Sequence, residues 1–376
     1  MTLATLTAKV RLLANEERDA YLLGLIRVLL AVLLATNVWA RFDELEHWAY
    51  FGDVFHLPLV PESWVPSRAT YERLLWLELG GAAVAFFGFF GREALAISAS
   101  VGLFLLGCDR LQYHNNRFAL LLACFLCAFM PSDRSFLLYR GRRHALPVEQ
   151  RLAPTLPRRL FQLQISAIYL SSGGGKLVDP DWRGGQSMLV RFEEGVAYAR
   201  QHGAQLADWY ASFLTSPLTA SLASKAAISL ELFLAVGLWV PRLRAFALWA
   251  GVVFHLMIQA SARVELFSWL MGVAYVAFVT PELRERTVRV NAAKPLGRTV
   301  ALVVPWLDWL ARFRIEAQPT GEGSAVVAVD RDGGRATGWD AAGVLCRAIP
   351  VLFLIWPVFA LVALCRPSGR TLLTDP

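Results

Sequence analysis

The sequence is short of charge. Only 18% of its 376 residues are Asp, Glu, Lys or Arg, whereas 56% are hydrophobic, and the mean hydropathy is +0.44. Soluble domains carry more charge and less apolar content, so an ordinary water-soluble globule is excluded. Cysteine is also scarce. The five cysteines (Cys108, Cys124, Cys127, Cys346 and Cys365) match no zinc or redox spacing. Cys124 and Cys127 sit inside an apolar run and read as small hydrophobes. Metal-binding and nucleotide-binding motifs are missing, so neither cofactor class is expected, and there is no internal repeat. The N-terminal stretch MTLATLTAKVRLLANEERDA is too polar after its first turn for a cleavable signal peptide. The net charge of +7 does not signal nucleic acid, because the arginines lie in loops between apolar spans, where they set topology.

What the chain has in abundance is long apolar runs. They predict an all-α integral membrane protein, a polytopic helical bundle. About eight spans are expected, near residues 20–40, 72–90, 94–111, 118–130, 160–175, 226–240, 245–260 and 266–280. Residues 1–20 read as a cytosolic amphipathic helix, and 41–70, with Asp53, His56, Trp48 and Trp64, as an interfacial segment. Residues 131–158 read as a basic loop, and 177–223 as a polar segment with helical patterning. Residues 21–285 form the membrane domain and 286–376 a tail with a small β-hairpin and helix appendage. In the tail, 301–312 predicts an interfacial amphipathic helix and 324–340 a hairpin around Asp332-Gly333. The last apolar run, 341–365, is either a ninth span or a helix packed on that hairpin.

Cytoplasmic loops should hold the arginine excess. Arg134, Arg140, Arg142, Arg143, Arg151 and Arg158 place the 131–158 loop inside, and with it the N-terminus. The motif CDRLQYHNNR, the stretch around Lys176 and the turn after His255 then share the external face.

Polar residues within or beside spans are the candidates for chemistry. The stretch YLSSGGGKLVDPDWRGGQSM, residues 169–188, is the organising one. Its three glycines before Lys176 permit close approach of a neighbour or a ligand. Lys176 has two readings: an ammonium that snorkels to the interface, or a desolvated amine able to act as a base. Asp109, Arg110, Gln112, His114, Asn115, Asn116 and Arg117 form either a solvated turn or part of a site. His255, inside an apolar span, is either a hydrogen-bonded core histidine or a catalyst. Glu78 and Glu231 are intramembrane carboxylates, and both are expected to project toward the layer of Lys176. Arg27 is expected to snorkel. A pocket of Lys, His, Asn and carboxylate walled by aromatic rings would suit an amphipathic aromatic ligand such as a quinol.

Three segments in order, YHNNRFALLLACFLCAFMPSDRSF, YLSSGGGKLVDPDWRGGQSM and FHLMIQASARVELFSW, resemble the horizontally transferred transmembrane (HTTM) domain. That domain is the bacterial relative of the vitamin K-dependent γ-glutamyl carboxylase. The resemblance covers residues 21–281, and its most specific part is the Gly run with G-K-L-x-x-x-W and GQSM. It implies that Lys176 is the base that deprotonates a reduced quinone (vitamin K hydroquinone-like), with O2 as co-substrate and epoxidation as outcome. CO2 and a peptide substrate are left open. His255 and Asn115 match pocket residues, and the place of the family's histidine falls on Asn116, with His114 two residues earlier. The resemblance, read with the residues themselves, assigns catalytic roles to Lys176, His255, Asn115 and His114. Cofactor contacts fall to Gly175, Trp182, Glu231, Asn116 and Asp109. No counterpart of the animal enzyme's large lumenal part is expected, which favours quinol chemistry on another substrate. The bilayer is the expected partner, the bacterial inner membrane the expected location, and the site faces outward. The alternative is a non-catalytic lipid- or peptide-binding, transport-related protein on the same scaffold. Residues 329–350 also faintly resemble small thiol-oxidoreductase-like domains, without their cysteine pair.

Overall fold

The computed structural model describes residues 16–47, 57–110, 113–141, 145–261, 266–279, 286–317, 325–329 and 334–364. The chain divides into two compact units, Met1–Pro281 and Glu282–Pro376.

The first unit is almost entirely helical. Its helices are α1 (Tyr21–His47), α2 (Arg68–Phe87), α3 (Gly91–Gly107), α4 (Asn115–Phe129) and α5 (Leu156–Val178), then α6 (Pro180–Gly184), α7 (Gln186–Gln201), α8 (Asp208–Leu214), α9 (Pro217–Gly237), α10 (Pro241–Ser261) and α11 (Phe267–Tyr275). Helices α1 to α4 pack as successive neighbours, α4 meets α5, and α5 lies along α9. The core they share is largely apolar, with Ile26, Leu30, Leu75, Leu95, Leu121, Phe161, Leu234 and Met271 buried. Small residues at the contacts (Ala82, Ala85, Ala99) let the helix backbones approach closely.

Among the described residues, three helices are long and apolar enough to cross a membrane: Tyr21–Asp43, Pro217–Gly237 and Pro241–Gln259. A fourth candidate is a pair, Gly338–Ala348 with Pro350–Val362, bent by 119°. The expected eight or nine is not reached by this measure, for a physical reason. Helix α2 carries Arg68, Glu72, Arg73 and Glu78, α5 carries Arg158, Arg159 and Lys176, and α4 has only 15 residues. About 20 residues span the hydrocarbon core.

Two expectations are corrected. Residues 17–19 are not helical; they form β1 (Glu17–Asp19), antiparallel to β2 (Leu152–Pro154), with Arg18 opposite Ala153. Arg151 seals this pair through Asp19 at 2.8 Å, so the basic 131–158 segment is tied down at that point. Arg27 does not snorkel. It is buried, and its guanidinium donates to the carbonyls of Ser132 (2.6 Å) and Phe136 (2.7 Å), pinning that same loop to α1. The helical patterning expected of the polar 177–223 segment is borne out by α6, α7 and α8. Residues 1–15 of the helix expected over 1–20, together with Asp53, His56, Trp48 and Gln112, lie outside the described residues.

The second unit is an α/β fold around a four-stranded sheet, ordered β4-β3-β5-β6. Its strands are β3 (Arg286–Val290), β4 (Phe313–Ala317), β5 (Val326–Val329) and β6 (Arg335–Thr337). Strands β3 and β4 are parallel, joined through α12 (Pro295–Leu307), the crossover that a parallel pair requires. Strands β5 and β6 are the antiparallel pair expected of the hairpin, with Val327 opposite Thr337; Asp332-Gly333 lies outside the described residues. Helix α12, expected to be interfacial, buries Val304 in the same core as Val288, Val290 and Phe313. Helix α13 (Gly338–Ala348) covers β5 and β6, and α14 (Trp356–Leu364) follows the bend.

Candidate functional site

Helix α5 begins with a proline, Pro157, in its first turn, where the missing N–H costs nothing. It ends at Asp179, whose carboxylate accepts the Asp181 N–H at 2.9 Å and starts α6. Lys176 thus occupies the last turn of α5, where the helix dipole favours a cation. Counting back along the same face, at three, four and seven residues, gives Gly173, Ser172 and Tyr169.

Gly173 lies where α5 and α9 approach closely. A Cβ built there would stand 3.1 Å from the Cβ of Glu231 and 3.1 Å from Leu232, tighter than an ordinary contact, so glycine eases the close approach of α9. The carboxylate of Glu231 then meets the amine of Lys176, with Nζ donating to Oε1 at 2.9 Å and to Oε2 at 2.8 Å. Nζ also donates to the Ser172 hydroxyl one turn back. The face of Trp182 lies 5.0 Å from Nζ, a cation–π contact, and the same ring receives Arg191 at 5.6 Å. The carbonyl of Trp182 accepts a hydrogen bond from Ser224 on α9. Gly185 turns the chain from α6 into α7 with φ +89°, and an added Cβ would stand 2.6 Å from Ser221 Cα. Beside Gly174 and Gly175, by contrast, an added Cβ would meet nothing within 4 Å.

A second polar cluster sits further along the same face of α5. The Tyr169 hydroxyl bonds His255 Nε2 at 2.7 Å and also the hydroxyl of Tyr275. All three residues are buried, and Phe254 and Phe267 set their ring edges against the imidazole. Gly251 leaves room for the Tyr275 hydroxyl, with which any Cβ there would collide. The Nδ1 of His255 is buried and has no hydrogen-bond partner among the described residues.

The structure therefore brings Lys176, Glu231 and Trp182 into direct contact, and places His255 on the same face of α5 through Tyr169. Gly175 is exposed on the open side of that helix. His114 and Asn115 are exposed at the start of α4, and Asn116 is half-buried. Among the described residues no hydrogen bond joins these three to Lys176, Glu231 or His255. Asp109 is buried, and its carboxylate accepts the Leu57 N–H at 3.2 Å, holding the segment before α2. Glu78 does not face Lys176, correcting that expectation. It is fully buried against Arg41 of α1 at 3.3 Å, with Tyr71 bonded to the same guanidinium.

Sequence reasoning missed Ser172, Tyr169 and Tyr275. The spacing from Lys176 was a signal for the first two. Tyr275 had none, since it comes from a different helix.

Chemically, the Lys176 cluster can move a proton between amine and carboxylate, and the histidine cluster can pass one between oxygen and nitrogen. The sequence profile of the HTTM domain matches residues 15–282, and the chain belongs to this family. No curated protein and no solved structure gives a match.

Proposed function

We propose that this HTTM-domain protein is a membrane enzyme of the vitamin K-dependent carboxylase type, with Lys176 as the base acting on a reduced quinone. The observation that carries the reading is the Lys176 amine held at a helix end between a carboxylate and an aromatic ring. The residues fit such a ligand. Trp182 supplies an aromatic wall, His255 Nδ1 is a buried polar atom without a partner among the described residues, and the side of α5 at Gly174 and Gly175 is open. A reduced quinone, when bound, supplies acidic O–H groups and the electrons that O2 accepts, leaving as an epoxide; with an acceptor, carboxylation by CO2 can follow.

The work of the chain is proton handling. As an ammonium, Lys176 uses all three N–H bonds on Glu231 and Ser172. Giving one proton to Glu231 leaves a neutral amine beside a neutral carboxyl. That amine has a lone pair and can take a proton from a bound hydroxyl. The apolar bundle keeps water from the base that follows. In this reading the chain crosses the bacterial inner membrane eight or nine times, with the N-terminus cytoplasmic and the Lys176 layer external, as the arginine loops require. The acceptor is a small molecule or a peptide.

One observation favours the alternative, a non-catalytic lipid- or peptide-binding scaffold: the three bonds of Lys176 also suit a purely structural link between α5 and α9. Oxygen uptake by the purified protein in lipid nanodiscs, supplied with reduced naphthoquinone, separates the two. The enzyme reading predicts quinol-dependent uptake that Lys176→Arg abolishes, because arginine keeps the charge and cannot serve as a base. Uptake unaffected by Lys176→Arg, or none in the wild type, would leave the scaffold reading.

A further inference from the structure

The end of α5 opposite to Lys176 carries a second concentration of charge, which the proposed chemistry does not use. Strand β1 brings Arg18 to it, because Glu17–Asp19 pairs with Leu152–Pro154, the strand that leads into α5. Arg18 and Arg159 share one carboxylate, Glu16, at 2.5 and 3.7 Å. The Arg159 guanidinium also lies over the Trp239 ring, 5.9 Å from its centroid, and Arg244 donates to the Trp239 carbonyl at 3.3 Å. Arg158 is buried in the same turn of α5, in electrostatic range of Arg18, Arg159, Arg244 and Glu16. Glu17 points to the other face of β1, and Asp19 is taken up by Arg151. We propose that this end of α5 is a binding site for a terminal phosphate group, with Arg158 as its central ligand.

Two independent observations carry it. The first is the state of Arg158. It is 9% exposed, and no hydrogen bond or ion pair joins its guanidinium to any of the described residues. An orphan Nε alone would say little, since Arg27 and Arg41 have one too. Their terminal nitrogens are bonded, however, those of Arg27 to the carbonyls of Ser132 and Phe136, those of Arg41 to Glu78 and Tyr71. In Arg158 the whole group lacks an acceptor among the described residues. A buried cation held among other cations is costly, and an anion from outside relieves that cost. The second observation is the backbone. Thr155, the N-cap, makes no side-chain hydrogen bond to the first turn of this 23-residue helix, so the positive end of the helix dipole adds to the field of the arginines.

The charge selects the ligand. Four guanidinium groups against the single carboxylate of Glu16 leave a surplus of three positive charges (four minus one). A phosphate monoester group carries about −1.5 to −2 and three acceptor oxygens, so it neutralises more of that surplus than a carboxylate and can bond more than one arginine. A planar guanidinium also matches two phosphate oxygens at once. Inorganic phosphate and the headgroup of phosphatidic acid both present this chemistry. In the topology proposed above, this end of α5 lies at the cytoplasmic leaflet, within reach of either.

Thermal unfolding of the full-length protein tests the site. One arm compares sodium phosphate with sodium chloride at equal ionic strength in detergent. The other adds phosphatidic acid or phosphatidylglycerol to phosphatidylcholine nanodiscs. Phosphate, phosphatidic acid or both should raise the wild-type midpoint, and a response to one alone identifies the source of the group. Phosphatidylglycerol, a diester of lower charge, should raise it less. Arg158→Met keeps the apolar stem and should weaken the response roughly tenfold or more in ligand concentration. Arg140→Gln removes the same charge from an exposed position of the 131–158 segment and should leave the response intact. Without either phosphate source, Arg158→Met should unfold no earlier than wild type, because it removes an uncompensated cation. Four results would each overturn the proposal. They are no response to either source beyond that to chloride, phosphatidylglycerol as effective as phosphatidic acid, an equal loss in Arg140→Gln, and early unfolding of Arg158→Met in the absence of phosphate, which would mean that Arg158 is paired within the fold.

Discussion

Two of the ion pairs that link helices among the described residues differ in what they can do. Arg41 and Glu78 join α1 to α2 at 3.3 Å, with 2% and 0% of their side chains exposed. Lys176 and Glu231 join α5 to α9 at 2.8 Å, with 18% and 8% exposed. The first pair is sealed, and its cation cannot be deprotonated in a protein. The second sits at a helix end, keeps a route outward, and has a cation that can lose its proton. Enclosure with a guanidinium suits a strut; partial access with an amine suits the proposed site. The two glutamates have the same chemistry, and their partners assign their roles.

The comparison is sharpest in its largest expected effect. Glu78→Ala should destabilise the fold by about 3–5 kcal/mol, because it strands a buried guanidinium. The double change Arg41→Met with Glu78→Leu should be close to neutral. Unfolding equilibria in mixed micelles read both, and a Glu78→Ala cost no greater than that of Glu231→Ala would erase the distinction. Next comes Glu231→Gln. The amide still accepts a bond from Lys176 but cannot take its proton, so quinol turnover should fall roughly hundredfold with the fold retained. Full turnover in that variant would make Glu231 a strut as well. Gly185→Ala should cost about 1–3 kcal/mol in thermal unfolding, through its positive φ and the contact with Ser221, and should loosen α6 with Trp182. A cost near zero would mean that α6 is not held against α9.

The smallest effect lies outside the bundle. The hydrogen bond from Arg18 holds the Glu16 carboxyl below its ordinary 4.5. A carboxylate lowered on folding contributes stability that is present above the unfolded value and lost as pH falls through the folded one. Wild type should therefore lose at most about 0.5 kcal/mol relative to Glu16→Gln on acidification below pH 4.5, since the pair is near the surface. An equal acid response of the two proteins would remove Glu16 from the account.

Much of the fold was legible because apolar runs announce buried helices directly. The runs that became α1, α9 and α10 are examples. The strand β1 was not legible: Glu17–Asp19 has no pattern of its own and is extended only because Leu152–Pro154 lies beside it. Strands β3 and β4 escaped notice for a similar reason, as Arg286–Val290 reads as basic before it reads as β. At the candidate site, Lys176 stood out as a charge next to a glycine run. Its partner Glu231 was visible as an intramembrane carboxylate, but Glu78 looked identical. Only the packing of α1 against α2 assigns Glu78 to Arg41. The snorkelling expected of Arg27 failed because carbonyls from a loop more than a hundred residues away accept its bonds, a pairing that spacing cannot reveal.

The most direct test of the central claim follows epoxide formation by mass spectrometry, with purified protein in lipid, reduced naphthoquinone and oxygen. Wild type and Lys176→Ala are compared side by side. The account predicts epoxide from the wild type alone. Equal signals from both proteins would contradict it, since the oxidation would then need no base at Lys176.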